Sequence, residues 1–236
     1  SYQVFSTGSD TITAATGAAT IDASGASPGG GVIIFGNAAN LTFVGGASAA
    51  TVFGGSGSDT ITGGSGPLYA RGGSVGNYVL FGGTGQATLF GGGDGDVLTA
   101  AGAMPQSLLA STSSETLTGG NATGADTFTG GSGRDQIIGG LGANTFVAGT
   151  GQETINAAGS SNLFELIKGA GGGSTLVTNF TDASQVHIML SGFAPGEASN
   201  AVATQTSTPS SVTATLSDGT SITFANITHL SAGNFS

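Results

Sequence analysis

The residues best suited to chemistry in this chain are carboxylates that close runs of glycine. Asp59 ends the hexad GGSGSD at residues 54–59, and Asp135 ends GGSGRD at residues 130–135. Asp126 closes the shorter TGAD, and Asp96 closes GGGDGD, where the glycine spacing is shifted. A carboxylate after such a run offers anionic oxygens beside a backbone whose carbonyls no side chain shields. Gly55, Gly57, Gly131 and Gly133 are the carbonyls nearest to hand. Six to eight hard oxygens, many of them from the backbone, are what Ca2+ takes as ligands. The competing interpretation is structural, because Asp and Asn also suit tight turns for their own sake.

Other chemistries find little support. No Gly-Lys-Ser/Thr follows any glycine run, so these are not phosphate loops. Neither G-x-S-x-G nor H-E-x-x-H occurs. The only histidines, His187 and His229, lie near the C-terminus, and His187 beside Ile188 and Met189 reads as a packed strand residue. Cysteine is absent, which excludes disulfides and thiolate metal sites. With three basic and thirteen acidic residues the net charge is −10. Nucleic acid and anionic membranes are poor partners for that surface, and cations are good ones. No apolar run approaches the ~20 residues that span a bilayer, so membrane insertion is not expected.

The elements that position these carboxylates are repeats. From Gly36 the chain falls into nines: GNAANLTFV, GGASAATVF, GGSGSDTIT, GGSGPLYAR and onward to Glu165, with an occasional ten or eleven. Self-similarity at a short fixed period indicates a solenoid. Each unit is a glycine turn followed by a three-residue strand whose middle residue points inward. Those middle residues include Ile61, Leu89, Leu98, Leu117, Phe128, Ile137, Phe146, Ile155 and Phe164. Two nines make one coil, and stacked coils share one narrow core. Outward positions carry many threonines, among them Thr60, Thr62, Thr116, Thr118, Thr127 and Thr129. They also carry exposed apolar residues such as Val44, Phe53, Phe81, Phe90, Ile138 and Val147.

The pattern G-G-x-G-x-D-x-U-x, matched in full by GGSGSDTIT and GGSGRDQII, resembles the RTX nonapeptide repeat. The resemblance covers about residues 5 to 177. It implies an all-β chain, a right-handed parallel β-roll or β-solenoid with a C-terminal β cap, with Ca2+ bound in the turns. It implies Ca2+ at Asp59, Asp126 and Asp135, and at Asp96 despite its shifted glycines. Same-side turns are two repeats apart, so one edge of the roll should present Asp59, Asn77, Asp96, Glu115, Asp135 and Glu153. The other should present Ala50, Leu68 and Ala87, then Asp126, Asn144 and Asn162. Asn144 and Asn162 look like an amide ladder that replaces the metal.

The period fades after Val177. Residues 178–236 read as a capping segment, with a small-polar loop over APGEASNAVATQTSTPSS and a hairpin whose turn is Asp218-Gly219. This tail looks like the uncleaved C-terminal signal of type I secretion, which implies an extracellular or cell-surface bacterial protein. With repeats running from about residue 5, no room for a catalytic domain is visible. The expectation is therefore a non-enzymatic structural protein that assembles with itself, stacking head to tail through open ends into a filament, sheet or matrix. A binding module (an adhesin or an ice-binding face) and the C-terminal portion of a larger enzyme are the alternatives.

Overall fold

The computed structural model describes residues 2–37, 39–159, 161–169, 172–180 and 182–236. Short strands separated by glycine turns alternate between two sheets. The first sheet takes Tyr2–Phe5, Ala19–Asp22, Leu41–Val44, Thr60–Thr62, Val79–Phe81, Val97–Thr99, Thr116–Thr118, Arg134–Ile138, Gln152–Asn156 and Ser174–Thr178, all in parallel. The second takes the strands between them, from Asp10–Thr13 to His187–Ser191, also parallel. The chain is therefore a parallel β-solenoid with two strands per coil, and solenoid pairing runs past residue 177 to Ser191.

Strand alternation fixes what is inside. In the first sheet Ile21, Phe43, Ile61, Leu80, Leu98, Leu117, Ile137, Ile155 and Val177 form one column, each fully buried. The facing column is Ile34, Val52, Ala70, Leu89, Leu108, Phe128, Phe146, Phe164 and Ile188, none more than 1% exposed. Parallel in-register pairing puts like residues on top of one another, so Phe128, Phe146 and Phe164 stack with centroids 5.5 and 5.4 Å apart. Insertions are absorbed in turns, which leaves these columns in register.

Glycine is required where coils touch backbone to backbone. A Cβ on Gly73 would sit 1.8 Å from the Gly55 carbonyl oxygen, and one on Gly131 would sit 1.7 Å from that of Ser111. No side chain fits at those separations.

The C-terminal end is covered by an ordered cap. Ser221–Ala225 adds in parallel to Ser174–Thr178, and Ser211–Thr215 and Thr206–Thr208 continue the sheet antiparallel. Gly219 takes φ +91° in the hairpin turn. Within APGEASNAVATQTSTPSS, expected as a small-polar loop, residues Glu197–Thr204 form a helix. Its Glu197 is buried and accepts hydrogen bonds from the Ser217 N–H (2.6 Å) and hydroxyl (2.9 Å), tying helix to hairpin. The end of the second sheet is closed by Phe235, which bridges Ile188, and by the Ser236 N–H, which donates to the Ile188 carbonyl. The described tail thus covers the last strands of both sheets, as a C-terminal cap should. Among the described residues no helix is long and apolar enough to cross a membrane.

Candidate metal centre

The sixth residue of each repeat lies two positions before the inward residue of the strand, so alternation turns its side chain inward as well. Asp59, Asp96, Glu115, Asp126, Asp135 and Glu153 are all buried, none more than 3% exposed. Three of the aspartates are held in one way. One oxygen accepts from the N–H at the same rung one coil earlier; the other accepts from an N–H four residues earlier in its own turn. For Asp59 these donors are Leu41 (2.7 Å) and Gly55 (3.1 Å). For Asp96 they are Tyr78 (2.9 Å) and Gly92 (2.8 Å). For Asp135 they are Glu115 (3.1 Å) and Gly131 (2.7 Å). The carboxylates thus fasten turn to turn; each oxygen of Asp59 and Asp135 keeps a second lone pair for another partner, whereas Asp96 Oδ2 also accepts from the Gly93 N–H (2.9 Å) and keeps one free only at Oδ1.

Burial raises the carboxyl pKa of Asp59, Asp126 and Asp135, and the backbone hydrogen bonds only partly offset it. Burial also raises Glu153, and the negative charge of Asp135 adds to the effect. Glu115 goes furthest, to about 7, mainly through burial, against hydrogen bonds from Ser111 and with Asp135 and Asp96 adding to the rise. Asp96, Glu115, Asp135 and Glu153 occupy successive rungs of one edge. This is a line of buried acids with few counter-charges, a setting that a cation would relieve.

Two rungs differ from the expected edges. Pairing of Thr60 with Val79 puts Tyr78, not Asn77, above Asp59, and Asn77 is exposed. The extra residue of GGSVGNYVLF lies in the turn and shifts the count by one. On the second edge Gln106 fills the rung between Ala87 and Asp126. AAGAMPQSLL has no glycine-aspartate signature, but counting two residues back from the inward Leu108 locates it.

The glycines divide. Gly131 and Gly133 turn their carbonyls to the next coil, accepting from the N–H groups of Thr150 and Gln152 at 2.9 Å each. Gly57 is pressed against Ala39, 2.6 Å from where its Cβ would be. The Gly55 carbonyl is taken by the Tyr78 hydroxyl. His187, read as a packed strand residue, is on a strand but exposed, at the rim of a shallow depression with Asn162, Asn179 and Ser184.

The residues fit a cation best on the second edge. Asp126 Oδ1 accepts from the Gln106 N–H (2.9 Å), but its Oδ2 is buried without a partner. One rung on, Asn144 Oδ1 is also buried and unpartnered. Two orphan oxygens on adjacent rungs, one of them anionic, form a hard-oxygen donor set that wants a positive partner. Among the described residues no three acidic or histidine side chains converge on one point. Backbone carbonyls must therefore complete any coordination shell.

Comparison with known proteins agrees with this picture. Residues 44–66 and 121–155 match the RTX calcium-binding nonapeptide repeat, in four copies. No curated protein matches the chain. Among solved structures, the extracellular lipase LipA from Serratia marcescens is similar at 16% identity and a TM-score of 0.37. That alignment covers 92% of this chain and 42% of the lipase, so the chain spans less than half the length of that protein. The matched residues include Asp59, Asp126 and Asp135 with their glycines, so the chain carries RTX-type nonapeptide repeats, and repeats of that family bind calcium.

Proposed function

We propose that this chain is a calcium-clamped, non-enzymatic structural rod of a secreted bacterial protein. The observation that carries it is the buried Asp126 Oδ2, an anionic oxygen that no proton donor among the described residues serves. On this reading Asp126, with Asn144 beside it, holds the cation on the second edge. On the first edge each oxygen of Asp59 and Asp135 offers its remaining lone pair, and Asp96 offers that of Oδ1. Calcium, when bound, supplies charge neutralisation and oxygen coordination; the chain's own residues supply register, burial and the turn-to-turn hydrogen bonds. A ligand that binds only the native state stabilises it, by about 2.7 kcal/mol at a hundred times its Kd. Calorimetry of the chain in chelator and in excess calcium tests this. A melting temperature unmoved by calcium would refute the clamp.

Self-association is supported by the outer face of the second sheet. Phe35 and Phe53 stack there at 5.3 Å and 9°, Tyr69 lies 6.0 Å from Phe53, and Phe90 lies 5.3 Å from Tyr69. Phe35 is 42% exposed, and Ile33 on the same strand is 41% exposed. An outward aromatic stripe on a sheet with few charges favours lateral contact between rods over end-to-end growth. Threonine columns suited to an ice-binding face are present, but Val79, Val97 and Phe81 break the first-sheet rows. Sedimentation and electron microscopy in calcium are the test: a monomer at high concentration, with neither fibres nor sheets, would defeat assembly and favour a binding module.

A further inference from the structure

Four rungs place a hydrogen-bond donor where others place an acid; Asn162 donates only within its own turn, and three others reach carbonyls of two turns. Gln106 is buried, and its Nε2 lies 2.9 Å from the Gly83 carbonyl, 2.9 Å from that of Gly85 and 2.7 Å from that of Ala101. The first two belong to one turn of the second edge and the third to the next turn. Tyr78 does the same on the first edge, where its hydroxyl reaches the Gly55 carbonyl of the preceding turn and the Val75 carbonyl (3.0 Å) of its own. Asn144 Nδ2 meets Gly140 and Gly142 carbonyls at 3.0 Å each in its own turn, and the Ala158 carbonyl of the next turn at 3.5 Å. In each case carbonyl oxygens from two consecutive turns converge on one point. Such convergence is unfavourable unless something positive stands at its centre. Here the centre is an amide nitrogen or a phenolic hydroxyl.

We propose that Gln106, Tyr78 and Asn144 are built-in substitutes for cations, each filling an inter-turn carbonyl cage with its own donor. These cages need no metal. Calcium is confined to cages without a resident donor: on the second edge the one between Asp126 and Asn144 Oδ1, and on the first edge those at Asp59 and along the run from Asp96 to Glu153. The turns over residues 72–87 and 100–106 then hold together in the absence of calcium, and the turns carrying Asp126 and Asp135 do not. Local sterics agree with a permanent occupant. A Cβ on Gly82 would lie 1.9 Å from Gln106 Oε1, and one on Gly54 would lie 2.5 Å from the Tyr78 ring, so these turns are shaped around the substitutes.

The inference rests on the calcium reading of the remaining turns, and its test separates the two. Gln106→Glu keeps the length of the side chain and replaces the donating NH2 by an anionic oxygen. Gln106→Met keeps the length with neither. Calcium bound per chain is counted by equilibrium dialysis and elemental analysis, and melting is followed in chelator and in millimolar calcium. The expected result is one additional calcium per chain for Gln106→Glu, with stability lost in chelator and recovered in calcium. Gln106→Met should lose stability in both and gain no cation. An unchanged calcium count with no calcium-specific recovery in Gln106→Glu would overturn the proposal. If the parent binds no calcium but Gln106→Glu binds one, the substitution idea stands and the calcium reading of the native turns falls. Should neither variant fold, hydrogen exchange on the parent decides. Residues 72–87 and 100–106 should be equally protected with and without calcium, and 119–135 should gain protection on adding it. Equal gains in both regions would overturn the proposal.

Discussion

Asp126→Asn should make the calcium-free protein more stable, an unusual direction for a substitution at a buried site. The carboxylate keeps one good hydrogen bond, from the Gln106 N–H at 2.9 Å to Oδ1. Its Oδ2 has none, and neither has Asn144 Oδ1 on the next rung. An amide in place of the acid retains the acceptor at Oδ1 and turns the other position into a donor. It also removes a buried charge whose pKa is already raised by burial. A buried polar atom without a partner costs about 1–3 kcal/mol. Relief of one or both orphans should therefore stabilise the calcium-free fold by roughly that amount. For a domain of this size about 2–4 °C of Tm accompanies each kcal/mol, so a rise of several degrees is expected. In calcium the order should reverse, because the variant has lost its anionic ligand and with it the stabilisation by bound metal. Differential scanning calorimetry of both proteins, in chelator and in calcium, reads both effects. A variant that melts below the parent in chelator yet keeps the full calcium increment would refute the assignment of Asp126 Oδ2 as a cation-seeking oxygen.

Ile137→Asp places an unpaired carboxylate in a column where Ile137 is fully buried, and should cost several kcal/mol; a variant that melts like the parent would show the inward column to be displaced. Phe146→Ala removes the middle ring of the Phe128–Phe146–Phe164 stack and should destabilise by about 3–5 kcal/mol, more than the same change at the partly exposed Phe90, as denaturant titration will show. In chelator, stability should fall as pH rises from about 5 to 8. The folded state holds the Glu115 proton to about 7 and the unfolded state releases it near 4.5, so the folded state binds more protons in that window. Glu115→Gln should flatten this dependence, and a Tm that rises from pH 5 to 8 in the parent would contradict the buried state of the edge.

The core columns were legible because two local rules coincide: glycines mark the turns, and strand alternation sends the middle residue inward. Asp59, Asp126 and Asp135 follow by the same count. Tyr78 and Gln106 escaped because their repeats are ten residues long and carry no glycine-aspartate signature, so a search for acids passes over them. Counting back from the inward Leu80 and Leu108 finds both. The helix Glu197–Thr204 was hidden for a different reason. Its N-cap is Gly196 with no capping side chain, and its anchor is the pair of hydrogen bonds from Ser217, twenty residues away. The closing of the second sheet by Phe235 is equally non-local, since Ile188 lies nearly fifty residues upstream.

The chain contains its own control for what the acids are for. On the second edge Ala50, Leu68 and Ala87 occupy the same rung position as Asp126, and all are buried. Their coils keep the same parallel register as the rest of the sheet. The fold therefore does not need a carboxylate at this position, and an apolar residue is in general no worse, and often better, for stability than a buried charge. Four successive acids on the first edge, from Asp96 to Glu153, are then a liability the architecture could have avoided. Each sits with its charge disfavoured or beside another acid, and the backbone N–H groups that hold them would be satisfied as well by the asparagine arrangement seen at Asn162, whose Oδ1 accepts from the Asn144 N–H at 3.0 Å. What asparagine cannot do is respond to a cation. On the proposed reading, acids on those rungs, with apolar residues or donors on the others, divide the solenoid into a part that stands without calcium and a part whose stability follows it.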